Sequence, residues 1–216
     1  MSATLAVIAA VAVFGWFVWL PAHRPSLRPG EVVGIDVSHH QGPIAWDRVA
    51  ADGIGFAYIK ATEGDDFVDE RFAENWSASD EAGLRRGAYH FFTLCSPGAA
   101  QAHHFLDVVP PDPNALPPAV DLELAQNCSE RPDPAALRRE LQAYLAVVEA
   151  ATGRRVVLYI GDDIEDRYAI RGELQPPLWL PRFLLRPSGD WLIWQTSAFA
   201  HVDGVEGRVD LDVMRT

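Results

Sequence analysis

The chain has 216 residues, 49% of them apolar and including seven Trp and ten Phe, enough for one domain with a sizeable core; a disordered or fibrous chain is excluded. Thirty acidic against eighteen basic side chains give a formal charge of −12 with no basic patch to offset it, which excludes nucleic acid as a partner. Lys60 is the only lysine among the basic residues.

From Leu5 to Leu20 no residue is charged, and Trp16, Phe17 and Trp19 crowd the far end like an interfacial belt. Residues 1–22 therefore read as a membrane anchor or a signal segment, the membrane being a partner through this stretch. The run is longer than the ~7–15 residues of a signal-peptide core and lacks a positive n-region, which favours an uncleaved anchor. Arg24 and Arg28 follow it, against the positive-inside rule for export. Residues 23–30, with prolines and no apolar period, read as an extended linker, and a folded domain is expected over 31–216.

Within that domain short apolar runs recur at Val32 to Val37, Gly55 to Ala61, Gly87 to Phe92, Ala119 to Leu124 and Val156 to Ile160, and read as buried strands. Helical patterns lie between them at Ile44 to Ala51, Glu70 to Ala82, Pro97 to Val108 and Pro134 to Ala151. Leu178 to Phe183, Trp191 to Thr196 and Val209 to Met214 then follow with loops too short for crossover helices. Alternating strands and helices imply a parallel sheet, and the whole pattern predicts an α/β fold, a modified TIM-like (β/α)5(β)3 barrel. Cys95 and Cys128 lack CxxC or histidine-containing ligand spacing, so a disulfide closing roughly 34 residues is expected, the other reading being two buried thiols. A bridge would place the domain outside the cytoplasm.

Polar residues gather near the C-terminal ends of the predicted strands, the rim where such barrels carry their chemistry. Asp121 and Glu123 are separated by one residue, so on a strand both point to one face with Cα atoms about 6–7 Å apart. Two carboxyls in one barrel mouth resist double ionisation, leaving one able to donate a proton at neutral pH while negative charge faces the reacting centre. Glycoside cleavage needs both.

The set of motifs Gly34-Ile-Asp-Val-Ser-His-His-Gln-Gly42, Lys60-Ala-Thr-Glu-Gly64, Gly87-Ala-Tyr-His-Phe91, Val120-Asp-Leu-Glu123, Pro177-Leu-Trp179, Trp194-Gln195 and Val209-Asp-Leu-Asp212 resembles, in order and spacing, the glycoside hydrolase family 25 lysozymes. The resemblance implies hydrolysis of the β-1,4 bond between N-acetylmuramic acid and N-acetylglucosamine. It implies Glu123 as general acid, with Asp121, Asp36 and Asp210 as the surrounding acids, and retention of anomeric configuration through a carboxylate nucleophile or the sugar's acetamido group. The second route is favoured, with Asp121 orienting the acetamido nitrogen. Glu63, Tyr89, Trp179, Trp194 and Gln195 are expected to bind sugar; Tyr89 and His90 read equally well as barrel packing, and the indoles as core. Two places depart from the family pattern: Thr196 stands where an aromatic is common, and Asp212 where Asn is frequent.

Two other functions compete. A chitinase-like hydrolase would show Asp-x-Asp-x-Glu, but Ala119 occupies the first place; a catalytically silent peptidoglycan-binding protein would not require all four acids. No cofactor and no metal are expected, since His39-His40 and His103-His104 lack the i, i+4 spacing of helix ligands. The expected partner is the glycan strand of peptidoglycan, met by a monomer.

Overall fold

The computed structural model describes Gly15 and residues 19–125 and 127–216. The expected anchor or signal segment therefore lies mostly outside the described residues, of which Leu20–Ala22 forms a single helical turn. Among the described residues no helix is long and apolar enough to cross a membrane. Residues 23–28 carry neither helix nor strand, and they are tied to the domain: Arg24 Nη2 donates to Asp52 Oδ2 at 2.8 Å and Arg186 Nη2 donates to the Ser26 carbonyl at 2.7 Å.

The strands are β1 (Glu31–Val37), β2 (Phe56–Glu63), β3 (Phe67–Val68), β4 (Arg85–Phe91), β5 (Ala119–Leu122), β6 (Val157–Ile160), β7 (Leu178–Pro181), β8 (Ile193–Ala200) and β9 (Val209–Arg215). The helices are α1 (Trp46–Ala51), α2 (Phe72–Glu81), α3 (Gly98–Val108), α4 (Pro134–Thr152), α5 (Asp162–Tyr168) and α6 (Ile170–Leu174). β1 pairs with both β2 and β9, closing an eight-strand barrel, while β3 hangs on the free edge of β2's rim end as a short antiparallel addition. Within the barrel, neighbours are parallel except at β9, which runs antiparallel to β1 and β8.

Sequence rules account for most of these bounds. In α4 the Asp133 side chain accepts from the Ala136 N–H at 2.9 Å, proline fills the first turn, and Gly153 at φ 67° ends the helix. Leu137, Leu141, Tyr144, Leu145 and Val148 form its buried stripe. β7 stops at Pro181, short of the expected Phe183, and Leu184 just beyond it takes the left-handed φ of 63°. The short elements β3, α5 and α6 carry no periodic pattern long enough to be read from sequence.

Two layers of packing result from strand alternation. Outward residues such as Ile35, Ile59, Ala88, Val120, Leu158 and Leu211 join the apolar stripes of the helices. Inward residues Phe56, Tyr58, Ala119, Val157, Trp179, Ile193 and Met214 fill the barrel floor. Two glycines make room there: a Cβ on Gly34 would lie 2.3 Å from the Phe56 ring, and one on Gly87 would lie 2.4 Å from the Tyr58 ring. A small residue facing a large one keeps the floor closed to water.

Cys95 and Cys128 form a disulfide with a sequence separation of 33, joining the segments that follow β4 and β5. Replacing both by serine should lower stability by about 3–4 kcal/mol, the loop-entropy value for this separation; denaturant midpoints measure it, and an unchanged midpoint would contradict a stabilising bridge. Gly34→Ala should cost about 1–3 kcal/mol through forced movement of the Phe56 ring, and a variant as stable as the parent would show that the floor can yield.

Candidate active site

Above the floor the inward positions turn polar. Alternation along β2 carries Phe56, Tyr58 and Lys60 to the interior, along β5 Ala119 and Asp121, along β6 Val157 and Tyr159, and along β8 Ile193 and Gln195. These side chains line a cleft of about 440 Å³ together with Asp36, Tyr89, Trp179 and Asp210. Glu123, one residue beyond the end of β5, opens into the same cleft.

Asp210 reaches this rim by a route opposite to the expected one. It lies near the start of its strand, and the antiparallel direction of β9 sets it opposite Asp36 in the β1–β9 ladder. Facing residues of an antiparallel pair share a face, so the two carboxyls converge. Asp36 lies close enough to both Asp212 and Asp210 for their charges to act on one another. Asp212 takes a 2.8 Å hydrogen bond from the Trp179 indole, and the Gln195 amide donates to Asp36 at 3.3 Å. The Gln195 carbonyl oxygen accepts from the Tyr159 hydroxyl at 3.0 Å.

Crowding and burial act on these acids in one direction. Burial, then the neighbouring Asp212, pushes the Asp36 carboxyl well above the usual carboxylate range. Burial and the Glu123 charge do the same to Asp121. Burial raises Glu123 as well, although hydrogen bonding by Tyr159 opposes it. Asp210 is pushed up to about 9 by burial and by the Asp36 and Glu123 charges, and burial and Asp210 raise Asp212. Lys60 is the cation that favours the ionised forms of Asp121 and Glu123. The cleft therefore holds protons on carboxyl groups at neutral pH, and can both donate one and accept one back.

Most of the residues singled out from sequence meet here: Asp36, Tyr89, Asp121, Glu123, Trp179, Gln195 and Asp210 all line the cleft. Trp194 does not. Its indole is buried in the outer layer, donates to the Arg182 carbonyl at 2.7 Å and packs against Trp191. Strand alternation is the reason, because Gln195 facing inward turns its neighbour outward. Thr196 also faces away, bonding the Leu211 carbonyl at 3.1 Å, so this departure from the family pattern removes nothing from the cleft. Glu63 is not among the lining residues and instead accepts from Lys60 Nζ at 2.6 Å. Asp212 is fully buried beneath the acids.

His90 packs outward, stacked on Tyr144 at 5.0 Å between Thr62 and Gln101. Burial pushes it down to about 3, so it is a neutral packing residue. Lys60 and Tyr159 are cleft residues that sequence reasoning did not select. Their signal was parity: Lys60 continues the inward series of Phe56 and Tyr58, and Tyr159 sits level with Asp121 in the β5–β6 ladder. Among the described residues no group of His, Cys, Asp and Glu is arranged to hold a metal ion.

A closed α/β barrel with a carboxyl-lined cleft at one rim is the architecture of a glycoside hydrolase. The profile of the glycosyl hydrolases family 25 matches residues 35–205. The chain is 37% identical over 189 residues to the uncharacterized protein YegX of Escherichia coli (strain K12), with 83% of this chain and 68% of that protein covered. It is 36% identical over 198 residues to Lysozyme M1 of Streptomyces globisporus, covering 83% of this chain and 66% of that protein. A solved family 25 glycosyl hydrolase from Bacillus anthracis superposes with a TM-score of 0.81 at 32% identity, covering 89% of this chain and 92% of that one. The chain belongs to the glycosyl hydrolases family 25.

The acid cluster sets a pH dependence of stability. A carboxyl whose folded value lies above its unfolded one binds its proton in the folded state, so its contribution is full below the ordinary carboxylate value and is lost as pH rises. For Asp210 the loss runs from about 4 up to about 9. Asp210→Asn should therefore gain in Tm over the parent near pH 8, and by less near pH 5. Equal slopes of Tm against pH in both proteins would contradict this placement.

Proposed function

We propose that this glycoside hydrolase is a muramidase that cuts the β-1,4 bond between N-acetylmuramic acid and N-acetylglucosamine in peptidoglycan, with Glu123 as general acid and base. The observation that carries the reading is that Asp121 and Glu123 open into one cleft, where burial raises the proton affinity of both and the Glu123 charge raises that of Asp121 further. The similarity to Lysozyme M1 supports the substrate class.

Asp121 lies on β5 and Glu123 one residue beyond its end, both partly buried in the cleft, and their roles divide by what each meets there. A bound acetamido N–H favours the Asp121 carboxylate, which leaves the shared proton on Glu123. Glu123 gives that proton to the glycosidic oxygen while the acetamido carbonyl oxygen attacks the anomeric carbon, and the leaving sugar departs as an alcohol. Asp121 balances the positive charge of the resulting oxazolinium ring. Glu123, now ionised, removes a proton from water as its oxygen bonds to the anomeric carbon and the ring reopens with retained configuration. Asp36 and Asp210 tune the pair from the neighbouring strands, and Tyr89 and Trp179 wall the sugar cleft.

Two observations support action outside the cytoplasm: the Cys95–Cys128 bridge and the uncharged run from Leu5 to Leu20, which suits a membrane anchor or a secretion signal.

Release of reducing ends from purified peptidoglycan, with mass spectrometry of the muropeptides, tests the reading. The products should end in N-acetylmuramic acid, Glu123→Gln should lose about 10²–10⁴-fold in rate with the fold intact, and Asp121→Asn should lose a similar amount. A Glu123→Gln protein that digests the wall at the parent's rate would overturn the assignment.

A further inference from the structure

β5 ends at Leu122, one residue short of Glu123, and the β4–β5 ladder closes with Phe91 opposite Asp121 and a 2.9 Å bond from the Phe92 N–H to the Asp121 carbonyl. The barrel's own hydrogen bonds therefore fix the backbone of Asp121 but run out at Glu123. A general acid needs better placement than a free loop provides, because a shift of about 1 Å can cost 10²-fold in rate.

The side chain of Asn127 stands where the next ladder bonds would be. Its Nδ2 donates to the Glu123 carbonyl at 3.0 Å and to the Phe92 carbonyl at 2.8 Å. Its Oδ1 accepts from the Leu94 N–H at 2.8 Å and from the Cys128 N–H at 2.9 Å. Both amide protons and both oxygen lone pairs are thus used, and every partner is backbone. The amide bridges the exit of β4, the residue proposed as general acid, and the disulfide half-cystine Cys128, whose bridge to Cys95 fastens the same two segments from the far side.

We infer that Asn127 is a positioning residue for Glu123: its carboxamide continues the β4–β5 ladder past the end of the strand and holds the general acid at its working distance from Asp121. The inference rests on the reading of Glu123 as that acid. Aspartate at 127 keeps both accepting roles but cannot donate to the Glu123 carbonyl, so it separates positioning from simple loop architecture. Arg131 supplies a control, since it braces the same loop by donating to the Leu124 carbonyl at 3.1 Å and makes no bond to Glu123.

The experiment compares the parent with Asn127→Ala, Asn127→Asp and Arg131→Ala in the full chain. Four quantities are measured: kcat, KM, Tm and the titration of the Glu123 carboxyl by carbon-13 NMR in the absence of glycan. Both Asn127 variants should lose at least about tenfold in kcat with KM within about twofold, and should move the Glu123 titration by more than ~0.5 pH unit, as its distance to Asp121 and Tyr159 changes. Arg131→Ala should lower Tm while leaving kcat and the titration in place. An Asn127→Asp protein with parental kcat and titration, or an Arg131→Ala protein that mimics both Asn127 variants, would overturn the inference. The NMR readout judges Asn127 even if the parent turns over no peptidoglycan, a result that would instead remove the muramidase reading.

Discussion

A carboxylic acid that is to give up a proton at neutral pH must be withheld from water and surrounded by negative charge, conditions that oppose the stability of the fold holding it. Everything at this barrel's rim follows from how that conflict is met. Antiparallel pairing of β1 with β9 sets Asp36 against Asp210, and the two-residue repeat of β9 places Asp212 directly below. The Trp179 indole donates to Asp212 Oδ1 and the Gln195 amide to Asp36 Oδ2, whereas Asp212 Oδ2 is buried with no hydrogen-bond partner among the described residues. Beneath these acids, Phe56, Tyr58 and Met214 close the floor. Packing of that floor removes solvent from one side of the acids, and burial is the leading cause that raises each of them.

From that arrangement the chemistry divides by depth. Asp36 and Asp212 are buried, whereas Asp121, Glu123 and Asp210 are partly exposed. The buried groups set the electrostatic background for the partly exposed ones, among them Glu123, the proposed proton donor. Tyr159 belongs to both tiers, because its hydroxyl reaches Gln195 and also lowers the proton affinity of Glu123.

The sequence made the barrel legible because buried strands and amphipathic helices have different periods, and the eight apolar runs coincide with the strands that close the barrel. The site was legible where two acids one residue apart had to share a face, as at Asp121 and Glu123. It was misread where alternation was ignored: Trp194 and Gln195 are adjacent, so both cannot face the cleft, and the indole went to the outer layer. Strand direction was the other obstacle, since nothing in Val209-Asp-Leu-Asp212 says that β9 runs downward from the rim. Asn127 gave no sequence signal at all. Its role depends on where β5 stops relative to β4, a fact of register that composition and spacing do not carry.

The central claim is that this cleft keeps carboxyl groups protonated at neutral pH. Infrared difference spectra of the free enzyme between about pH 5 and about pH 9 observe the carbonyl stretch of protonated acids directly. The account predicts a protonated-acid band that persists near pH 7 and weakens when Asp36 or Asp210 is replaced by asparagine. A spectrum in which every carboxyl is ionised by about pH 6 would contradict it.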